Sequence, residues 1–412
     1  MITQTVDTSA TQEASSHNEP SNTSVHQAQF NVTYQYPVAF TSDAFNPANR
    51  VLVDLLCTLE PDKQHRVLLL VDDGVVNGTP SLATQWLGYV AHHSASIMSP
   101  SDPIIVPGGE QAKNDFQLQE SLSQAIEDHG IDRHSFVVAI GGGAMLDAVG
   151  LAAATAHRGI RLVRMPTTVL AQNDAGIGVK NGINRFGQKN WYGTFAPPFA
   201  VINDDVFLKT LCPVHQRAGM SEAVKVALIR DAAFFNWIEA NAQALARFDT
   251  QAVNYLIKRC AVLHIEQITQ RGDPFERGTQ RPLDFGHWAA HRLEKITEHR
   301  LSHGDAVAIG IALDSRYSQL AGLLDEASLE RIIAVLEKLG FPLYDHALNA
   351  RDATGQRLVI AGLEDFQRHL GGKLTITLLS DIGVGVEVHE MNDAKLEHAL
   401  SEMQPERMHA AS

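Results

Sequence analysis

The sequence predicts an α/β N-terminal domain of the Rossmann-like type with a parallel sheet, followed by a mainly α-helical C-terminal domain. Between residues 65 and 205, short apolar runs alternate with amphipathic stretches and glycine-rich turns, which is typical of parallel strands joined by crossover helices. Beyond residue 209 the apolar residues recur at the 3.6-residue period of helices. We therefore expect an α/β domain over residues 30–208 and a helical domain over residues 209–412, preceded by a disordered tail over residues 1–29.

The individual elements follow from the same patterns, taken in chain order. Apolar runs bounded by turn residues predict five strands, at 67–71, 104–106, 136–140, 162–165 and 199–202. Helical periodicity predicts helices at 217–240, 251–270, 287–298 and 305–321. Near the C-terminus, residues 373–379 and 384–388 predict a β-hairpin, with Asp381, Gly383 and Gly385 around its turn.

Composition narrows the class of protein. With 412 residues, 44% of them hydrophobic, the chain can bury a large core. Its formal charge of −14, from 47 acidic and 33 basic residues, disfavours a nucleic-acid or anionic-membrane surface. The three cysteines show no CxxC pairing, as expected in a reducing compartment. No run approaches the roughly 18 apolar residues of a spanning helix, and no signal-peptide pattern opens the chain, so we expect a cytoplasmic protein.

A glycine-rich turn follows the predicted strand 136–140. Gly141, Gly142 and Gly143 lead into an Ala-rich helix that contains Asp147. Glycines at such a place let the main chain approach a pyrophosphate, whose charge the helix N-terminus stabilises. A tight strand-to-helix turn without a ligand would have the same sequence. The spacing departs from GxGxxG, so this is not an ordinary dinucleotide fingerprint.

Three polar residues near the ends of earlier strands are further candidates for nucleotide contacts. Asp72 ends the first predicted strand, where a carboxylate can accept hydrogen bonds from a ribose. Glu110 and Lys113 follow the strand 104–106 and offer a carboxylate for a hydroxyl and a cation for a phosphate. An ordinary loop aspartate and a solvated turn would look the same.

Glu222, His287 and His303 lie in local contexts that together look like one open zinc site. One carboxylate and two imidazoles leave a coordination position free, so a metal held in this way can bind substrate oxygens as a Lewis acid. The alternative is that these are three unrelated helix residues.

Helical spacing places a second polar residue beside two of these candidates. Lys225 is three residues after Glu222, and His291 is four residues after His287, so each pair shares a helix face. His291 could equally be a hydrogen-bonded core histidine. Lys180 and Lys189 lie in a Gly- and Asn-rich segment that suits a mobile phosphate-binding loop, although surface lysines would give the same pattern.

Three segments resemble the sugar phosphate cyclase superfamily, whose founding member is 3-dehydroquinate synthase. They are MPTTVLAQND at 165–174, KNGIN at 180–184 and GQKN at 187–190, and the likeness extends from about residue 65 to 390 with the motifs in matching order. The segments 180–184 and 281–287 resemble the EboD-like and sedoheptulose 7-phosphate cyclase branch more than dehydroquinate synthase proper.

The resemblance implies NAD-dependent chemistry in which the cofactor is regenerated within each turnover, phosphate is eliminated and the ring closes by aldol addition. It also implies a metal, Zn²⁺ or Co²⁺, held by Glu222, His287 and His303. The positions that match NAD contacts are Asp72, Glu110, Lys113, Gly142, Gly143, Asp147, Thr167 and Thr168. Those that match catalytic and substrate contacts are Asp174, Lys180, Lys225 and His291, with Lys189 and Asn190. Arg158 matches an arginine that reaches the phosphate in the neighbouring subunit, which implies a homodimer.

Departures from the family pattern bear on the substrate. Dehydroquinate synthase holds a carboxylate with a Lys, an Arg and an Asn; here those positions carry His264, Gln280 or its neighbour Arg281, and Asp284. An aspartate beside a desolvated carboxylate costs about 1 kcal/mol or more. A later Asp-Lys-Lys motif has also drifted to 365–368, DFQR.

We therefore expect a sedoheptulose 7-phosphate cyclase that makes a valiolone-type cyclitol, such as 2-epi-5-epi-valiolone. His291 departs from the epi-valiolone synthase pattern, so product stereochemistry stays open. The alternatives are a 3-dehydroquinate synthase, a metal-dependent alcohol or glycerol dehydrogenase, and an inactive scaffold.

Overall fold

A parallel sheet occupies the N-terminal half of the chain, and helices follow it. The structure is a computed structural model that describes residues 25–270, 274–275, 282–369 and 372–404. Apart from residues 25–29, which form no helix or strand, the predicted tail lies outside the described residues. The strands are β1 (Val38–Thr41), β2 (His65–Asp72), β3 (Ile97–Met98), β4 (Ile104–Val106), β5 (Phe136–Gly141), β6 (Arg161–Pro166), β7 (Lys180–Arg185), β8 (Gln188–Phe195), β9 (Ala200–Asp204), β10 (Ile376–Asp381) and β11 (Val384–Val388).

Seven strands form the main sheet, in the order β1-β9-β6-β5-β2-β3, with β4 also paired to β2. Every pair in it is parallel. Both faces are covered: Val67, Leu69 and Val71 of β2 point into one apolar cluster, and the alternate residues Leu68 and Leu70 point into another. A sheet buried on both sides needs apolar residues at successive positions, which explains the continuous apolar runs in the sequence.

Helices flank the sheet and build the C-terminal half. Their bounds are α1 (Val51–Leu56), α2 (Asp73–Gly78), α3 (Leu82–His92), α4 (Gln111–Asn114), α5 (Phe116–Asp128), α6 (Gly143–Thr155), α7 (Pro213–Arg230), α8 (Ala232–Ala246), α9 (Thr250–Gln270), α10 (His287–Ile296), α11 (His303–Leu320), α12 (Glu326–Lys338), α13 (Ala361–His369) and α14 (Asp393–Glu402). Residues 218–229 of α7 are buried on all sides, so this helix runs through the centre of the helical core. Among the described residues, no helix has both the length and the apolar character that crossing a bilayer requires.

The predicted fold class is confirmed, and the five predicted strands are present as β2, β4, β5, β6 and β9. The sequence analysis missed the short strands β1 and β3. The single helix predicted over 217–240 is wrong, because the chain breaks at Asp231 into α7 and α8. The Asp231 carboxylate accepts a hydrogen bond from the main-chain N–H of Phe234 at 3.0 Å and so caps α8.

The prediction that Lys180 and Lys189 lie on an irregular loop is also wrong. The segment forms an antiparallel hairpin of β7 and β8, in which Lys180 pairs with Phe195 at the open end. Most β8 residues are exposed, and large aromatic side chains of the hairpin face solvent: Phe186, Trp191, Tyr192 and Phe195. The two lysines therefore stand on a regular element rather than on an irregular loop.

Candidate active site

Glu222, His287 and His303 meet at one point although they come from three helices, α7, α10 and α11. One ligand atom from each lies within 4.8 Å of the others. The Nε2 atoms of His287 and His303 lie 3.3 Å and 3.5 Å from Oε1 of Glu222. The sequence interpretation that these three residues form one cluster agrees with this geometry.

Close helix packing brings these three side chains together. A Cβ atom on Gly310 of α11 would lie 2.0 Å from the carbonyl oxygen of Gly286, which immediately precedes α10. Gly286 itself has φ +77°, a left-handed conformation that favours glycine. Likewise, a Cβ atom on Gly304 of α11 would lie 2.4 Å from the Cα atom of Ala218 in α7. The three helices can approach this closely only because the contact positions carry no side chain beyond a methyl group.

Both imidazoles present the nitrogen that a metal would need. Nδ1 of His287 donates to the carbonyl oxygen of Phe285 at 3.1 Å, and Nδ1 of His303 donates to Oε1 of Glu294 at 3.3 Å. Once His303 has lost a proton, this tautomer directs the lone pair of each Nε2 toward Glu222. Oε1 of Glu222 faces both Nε2 atoms, and Oε2 of the same carboxylate contacts the ammonium of Lys225. A buried carboxylate oxygen beside two imidazole nitrogens is a donor set that a divalent cation binds.

Charged neighbours set the protonation of the cluster. Burial alone would raise the pKa of Glu222, but the ammonium of Lys225 and the imidazole of His287 outweigh it and hold this pKa well below its usual range. Burial alone would lower the pKa of His303, but hydrogen bonds to Glu222 and Glu294 raise it to about 9. A cation entering the site must therefore displace a proton from His303.

Lys225 and His291 lie beside the cluster, as helical spacing predicts. The Lys225 ammonium contacts Oε2 of Glu222, and Glu222 and Asp174 raise the pKa of Lys225 despite burial, so it stays charged. The His291 ring is 5.3 Å from the His287 ring. It faces open cavity space, yet desolvation by the cavity walls and the neighbouring His287 lower its pKa well below the usual range. His291 is thus a neutral imidazole at neutral pH.

A cavity of about 1120 Å³ joins these groups to other predicted residues. Asp174 lies in a short π-helical turn, Ala171–Ala175, with its Oδ1 atom 2.9 Å from Nδ1 of His264. Asp284 lies in the turn Pro282–Asp284, just before α10. The predicted catalytic, substrate and metal residues that line the cavity are Asp174, Lys180, Asn190, Lys225, His264, Asp284, His287, His291 and His303.

Lys189, Asn190 and Lys113 make contacts within the protein near this cavity. Nζ of Lys189 lies 3.1 Å from Oε1 of Glu294, which also accepts from His303. Lys113, predicted to contact NAD, is buried and lies 2.8 Å from Oδ2 of Asp147 while it also contacts Asn190. The contact of Lys113 with Asn190 joins a predicted nucleotide residue to a predicted substrate residue.

Glu294 is a site residue that the sequence analysis missed. It lies three residues after His291 and seven after His287, so a search along the same helix face could have found it.

The predicted nucleotide residues gather at the carboxyl ends of β2, β5 and β6. Gly142 and Gly143 begin α6, and a Cβ on Gly142 would lie 3.6 Å from the Thr168 methyl group. The N–H of Thr167 donates to the carbonyl oxygen of Gly141 at 3.0 Å. Asp72 caps α2 through the N–H of Gly74 at 2.8 Å, and burial raises its pKa. The carboxyl ends of parallel strands are where α/β sheets bind nucleotides.

Three predicted site residues do not lie with this nucleotide group. Glu110 accepts a hydrogen bond from Asn184 of β7 at 2.7 Å, away from the cavity lining. Arg158 is exposed at the amino end of β6, opposite the end that carries Thr167. Arg281, like Gln280, lies outside the described residues.

Comparisons with known protein families agree with these features. Residues 103–218 match the family model described as 3-dehydroquinate synthase N-terminal, and residues 219–356 match the model described as 3-dehydroquinate synthase C-terminal. A 3-dehydroquinate synthase of Shewanella frigidimarina is 34% identical over 301 residues, which are 73% of this chain and 82% of that relative.

Solved structures give the same picture. ValA, the 2-epi-5-epi-valiolone synthase of Streptomyces hygroscopicus subsp. jinggangensis 5008 with NAD⁺ and Zn²⁺ bound, superposes with a TM-score of 0.78 at 30% identity, covering 92% of this chain and 99% of ValA. A 2-deoxy-scyllo-inosose synthase complexed with carbaglucose-6-phosphate, NAD⁺ and Co²⁺ superposes with a TM-score of 0.71 at 21% identity. The match covers 89% of this chain and 96% of the synthase, so the two proteins share the fold.

Proposed function

The chain belongs to the 3-dehydroquinate synthase family of sugar phosphate cyclases, and from that premise we propose that its substrate is sedoheptulose 7-phosphate. The product would be a valiolone-type cyclitol, formed with loss of phosphate and intramolecular aldol closure. The similarity to ValA, a 2-epi-5-epi-valiolone synthase, supports this proposal, because the match at 30% identity covers 99% of ValA.

The charged groups around His264 are the main support for a substrate without a carboxylate. His264 contacts Asp174, and Asp284 lines the same cavity. A substrate carboxylate in this cavity would meet the charges of two aspartates and one imidazole. The repulsion from a like charge at short range costs about 1 kcal/mol or more once water is displaced. Hydroxyl groups, by contrast, can donate hydrogen bonds to both aspartates.

The cofactors follow from the donor set and from the relatives. We assign NAD to the carboxyl ends of β2, β5 and β6, and Zn²⁺ or Co²⁺ to Glu222, His287 and His303. A divalent cation there would act as a Lewis acid toward substrate oxygens. ValA contains NAD⁺ and Zn²⁺, and the 2-deoxy-scyllo-inosose synthase contains NAD⁺ and Co²⁺.

The chain's own residues divide the remaining tasks. The neutral imidazole of His291 can accept a proton from a substrate hydroxyl in the cavity. The charged ammonium of Lys225 stabilises developing negative charge beside Glu222. Lys180 and Asn190, which line the cavity, and the neighbouring Lys189 would bind the phosphate until it departs.

Arg158 supports assembly as a homodimer. Within one chain it lies at the amino end of β6, away from the cavity, so the phosphate contact that the family pattern assigns to this arginine would have to be made in another copy. Light scattering during size-exclusion chromatography would measure the mass in solution. A monomer at assay concentration would contradict this part of the proposal.

Phosphate release from two seven-carbon sugar phosphates tests the function. Purified protein with NAD and Zn²⁺ should release phosphate from sedoheptulose 7-phosphate without net accumulation of NADH. Release from 3-deoxy-arabino-heptulosonate 7-phosphate alone would instead establish 3-dehydroquinate synthase, which the 34% identity to the Shewanella relative favours as the second candidate. Mass spectrometry and NMR of the product would identify the cyclitol.

A further inference from the structure

Glu294 lies between two residues that serve different parts of the site. Its Oε1 atom accepts a hydrogen bond from Nδ1 of His303 at 3.3 Å and another from Nζ of Lys189 at 3.1 Å. Glu294 is only 4% exposed, and its Oε2 atom has no hydrogen-bond partner in the part of the chain that the structure describes. One buried carboxylate thus contacts both a candidate metal ligand and a candidate phosphate-binding lysine.

The contact with His303 fixes which imidazole nitrogen faces the metal position. Because Nδ1 of His303 donates its proton to Glu294, Nε2 is left to point toward Glu222. A carboxylate that accepts from a metal-binding imidazole also increases the basicity of the ligand nitrogen. Glu294 is therefore built into the metal site without being a ligand itself.

The contact with Lys189 fixes a side chain that would otherwise be free to move. Lys189 is the second residue of β8, and its side chain is 39% exposed. The hairpin of β7 and β8 pairs within itself and not with the main sheet. An ammonium group has three N–H donors, so one can bind Glu294 while two remain for a phosphate. Holding the long side chain beforehand reduces the rotamer entropy that is lost when phosphate binds.

We propose that Glu294 is a positioning residue that holds His303 for the metal and Lys189 for the substrate phosphate at the same time. Metal binding and phosphate binding are then coupled through one carboxylate. The Lys189 half of this inference rests on the proposed function, whereas the His303 half rests only on the metal site.

Zinc affinity tests the first half without any need for activity. Glu294→Gln keeps the shape of the side chain and removes its charge. The Zn²⁺ dissociation constant of chelator-stripped protein, measured by competition with a chromophoric chelator, should rise by about 10–100-fold in this variant. An affinity within threefold of the unmodified protein would overturn the role at His303.

A double-mutant cycle at saturating Zn²⁺ tests the second half. Glu294→Gln should raise the KM for sedoheptulose 7-phosphate by about tenfold, with a smaller change in kcat, and Lys189→Met should also raise it. In the Lys189→Met background, Glu294→Gln should change KM no further but should still weaken Zn²⁺ binding. A KM effect of equal size in both backgrounds would show that Glu294 does not act through Lys189.

Glu402 provides a matched control, because it is also a carboxylate shared by a cation and a histidine. Its oxygens lie 2.9 Å from Arg316 and 2.9 Å from His398, and none of these residues lines the cavity. Glu402→Gln should leave both Zn²⁺ affinity and KM unchanged.

If the unmodified protein turns over neither sugar phosphate, the proposed function fails. The double-mutant cycle is then repeated with the dissociation constant of radiolabelled inorganic phosphate as the measured quantity. Additive effects of Glu294→Gln and Lys189→Met on this constant would reject the coupling between the two residues.

Discussion

Oδ1 of Asp174 lies 2.9 Å from Nδ1 of His264, so the cavity wall presents a carboxylate and an imidazole as a pair. Burial alone would raise the pKa of Asp174, but His264 outweighs burial and lowers it. The carboxylate is therefore charged at neutral pH. A pocket with this charge suits a substrate that carries hydroxyl groups at that end.

Changing Asp284 should alter the choice of substrate. Asp284→Asn removes a negative charge from the cavity, so kcat/KM for 3-deoxy-arabino-heptulosonate 7-phosphate should rise relative to that for sedoheptulose 7-phosphate. About 1 kcal/mol of relieved repulsion corresponds to a shift of roughly fivefold in this ratio. Adding His264→Lys should shift the ratio further. Asp393→Asn, on the exposed start of α14, is the control; a ratio that stays constant in the double variant would contradict the charge argument.

Removing one imidazole should abolish metal binding. His287→Ala leaves Glu222 and His303 as two ligands, which cannot hold a catalytic cation tightly. We expect less than one tenth of the bound zinc by mass spectrometry of the dialysed protein, and a fall in kcat/KM of about 10³-fold or more. His398→Ala on α14 should keep full zinc content. Unchanged zinc in the His287 variant would show that the cluster is not the metal site.

Gly150 should be sensitive to even one added methyl group. A Cβ at this position in α6 would lie 1.8 Å from Oδ1 of Asn181, which also accepts a hydrogen bond from buried Arg164 at 2.6 Å. Gly150→Ala should therefore lower the free energy of unfolding by about 1–3 kcal/mol, because overpacking shifts β7. Gly88→Ala in α3 meets no atom within 4 Å and should raise stability by up to about 1 kcal/mol. Thermal unfolding midpoints that move in the same direction would contradict this contrast.

An ion pair at the amino end of a central strand, β6, should make stability depend on pH. Oε2 of Glu60 lies 2.7 Å from Nη1 of Arg161 at the start of β6, and this hydrogen bond lowers the pKa of Glu60 to about 2. A carboxyl group with a lowered pKa in the folded state stabilises the protein above its unfolded-state pKa of about 4.5, and this contribution is lost as the pH falls toward 2.

Glu60→Gln should therefore cost about 1 kcal/mol at pH 7 once solvent screening is allowed for, and much less near pH 3. Urea denaturation at the two pH values measures the difference. Glu127→Gln, an exposed position on α5, should show no such dependence on pH. A cost that is equal at both pH values would rule out the ion pair as its source.

The parts of the fold that have an apolar pattern could be predicted from the sequence, and the parts made of exposed polar residues could not. The apolar runs of β2 and β5 are visible because strands buried on both faces need successive apolar residues. The hairpin of β7 and β8 has a Gly- and Asn-rich, largely exposed sequence, so only the pairing of Lys180 with Phe195 reveals it.

The site shows the same division. Glu222, His287 and His303 were predictable because each lies in a recognisable local context. Helical spacing places Glu294 on the face of His287 and His291, but its contact with Lys189 could not be predicted, since Lys189 lies 105 residues earlier in the chain. Asp231 is similar: an aspartate within a helical period can continue the helix or cap the next one, and only the hydrogen bond to Phe234 decides.

The contact between Gly286 and Gly310 has a consequence for the kinetics of metal exchange. Since the two main chains touch with no side chain between them, α10 cannot slide along α11, and the spacing of His287 and His303 is set when the protein folds. The entropy of ordering the two imidazoles is lost during folding and not when the ion arrives. Metal ions should therefore bind to and dissociate from a preformed site at rates set by ligand deprotonation and solvent access, without a refolding step.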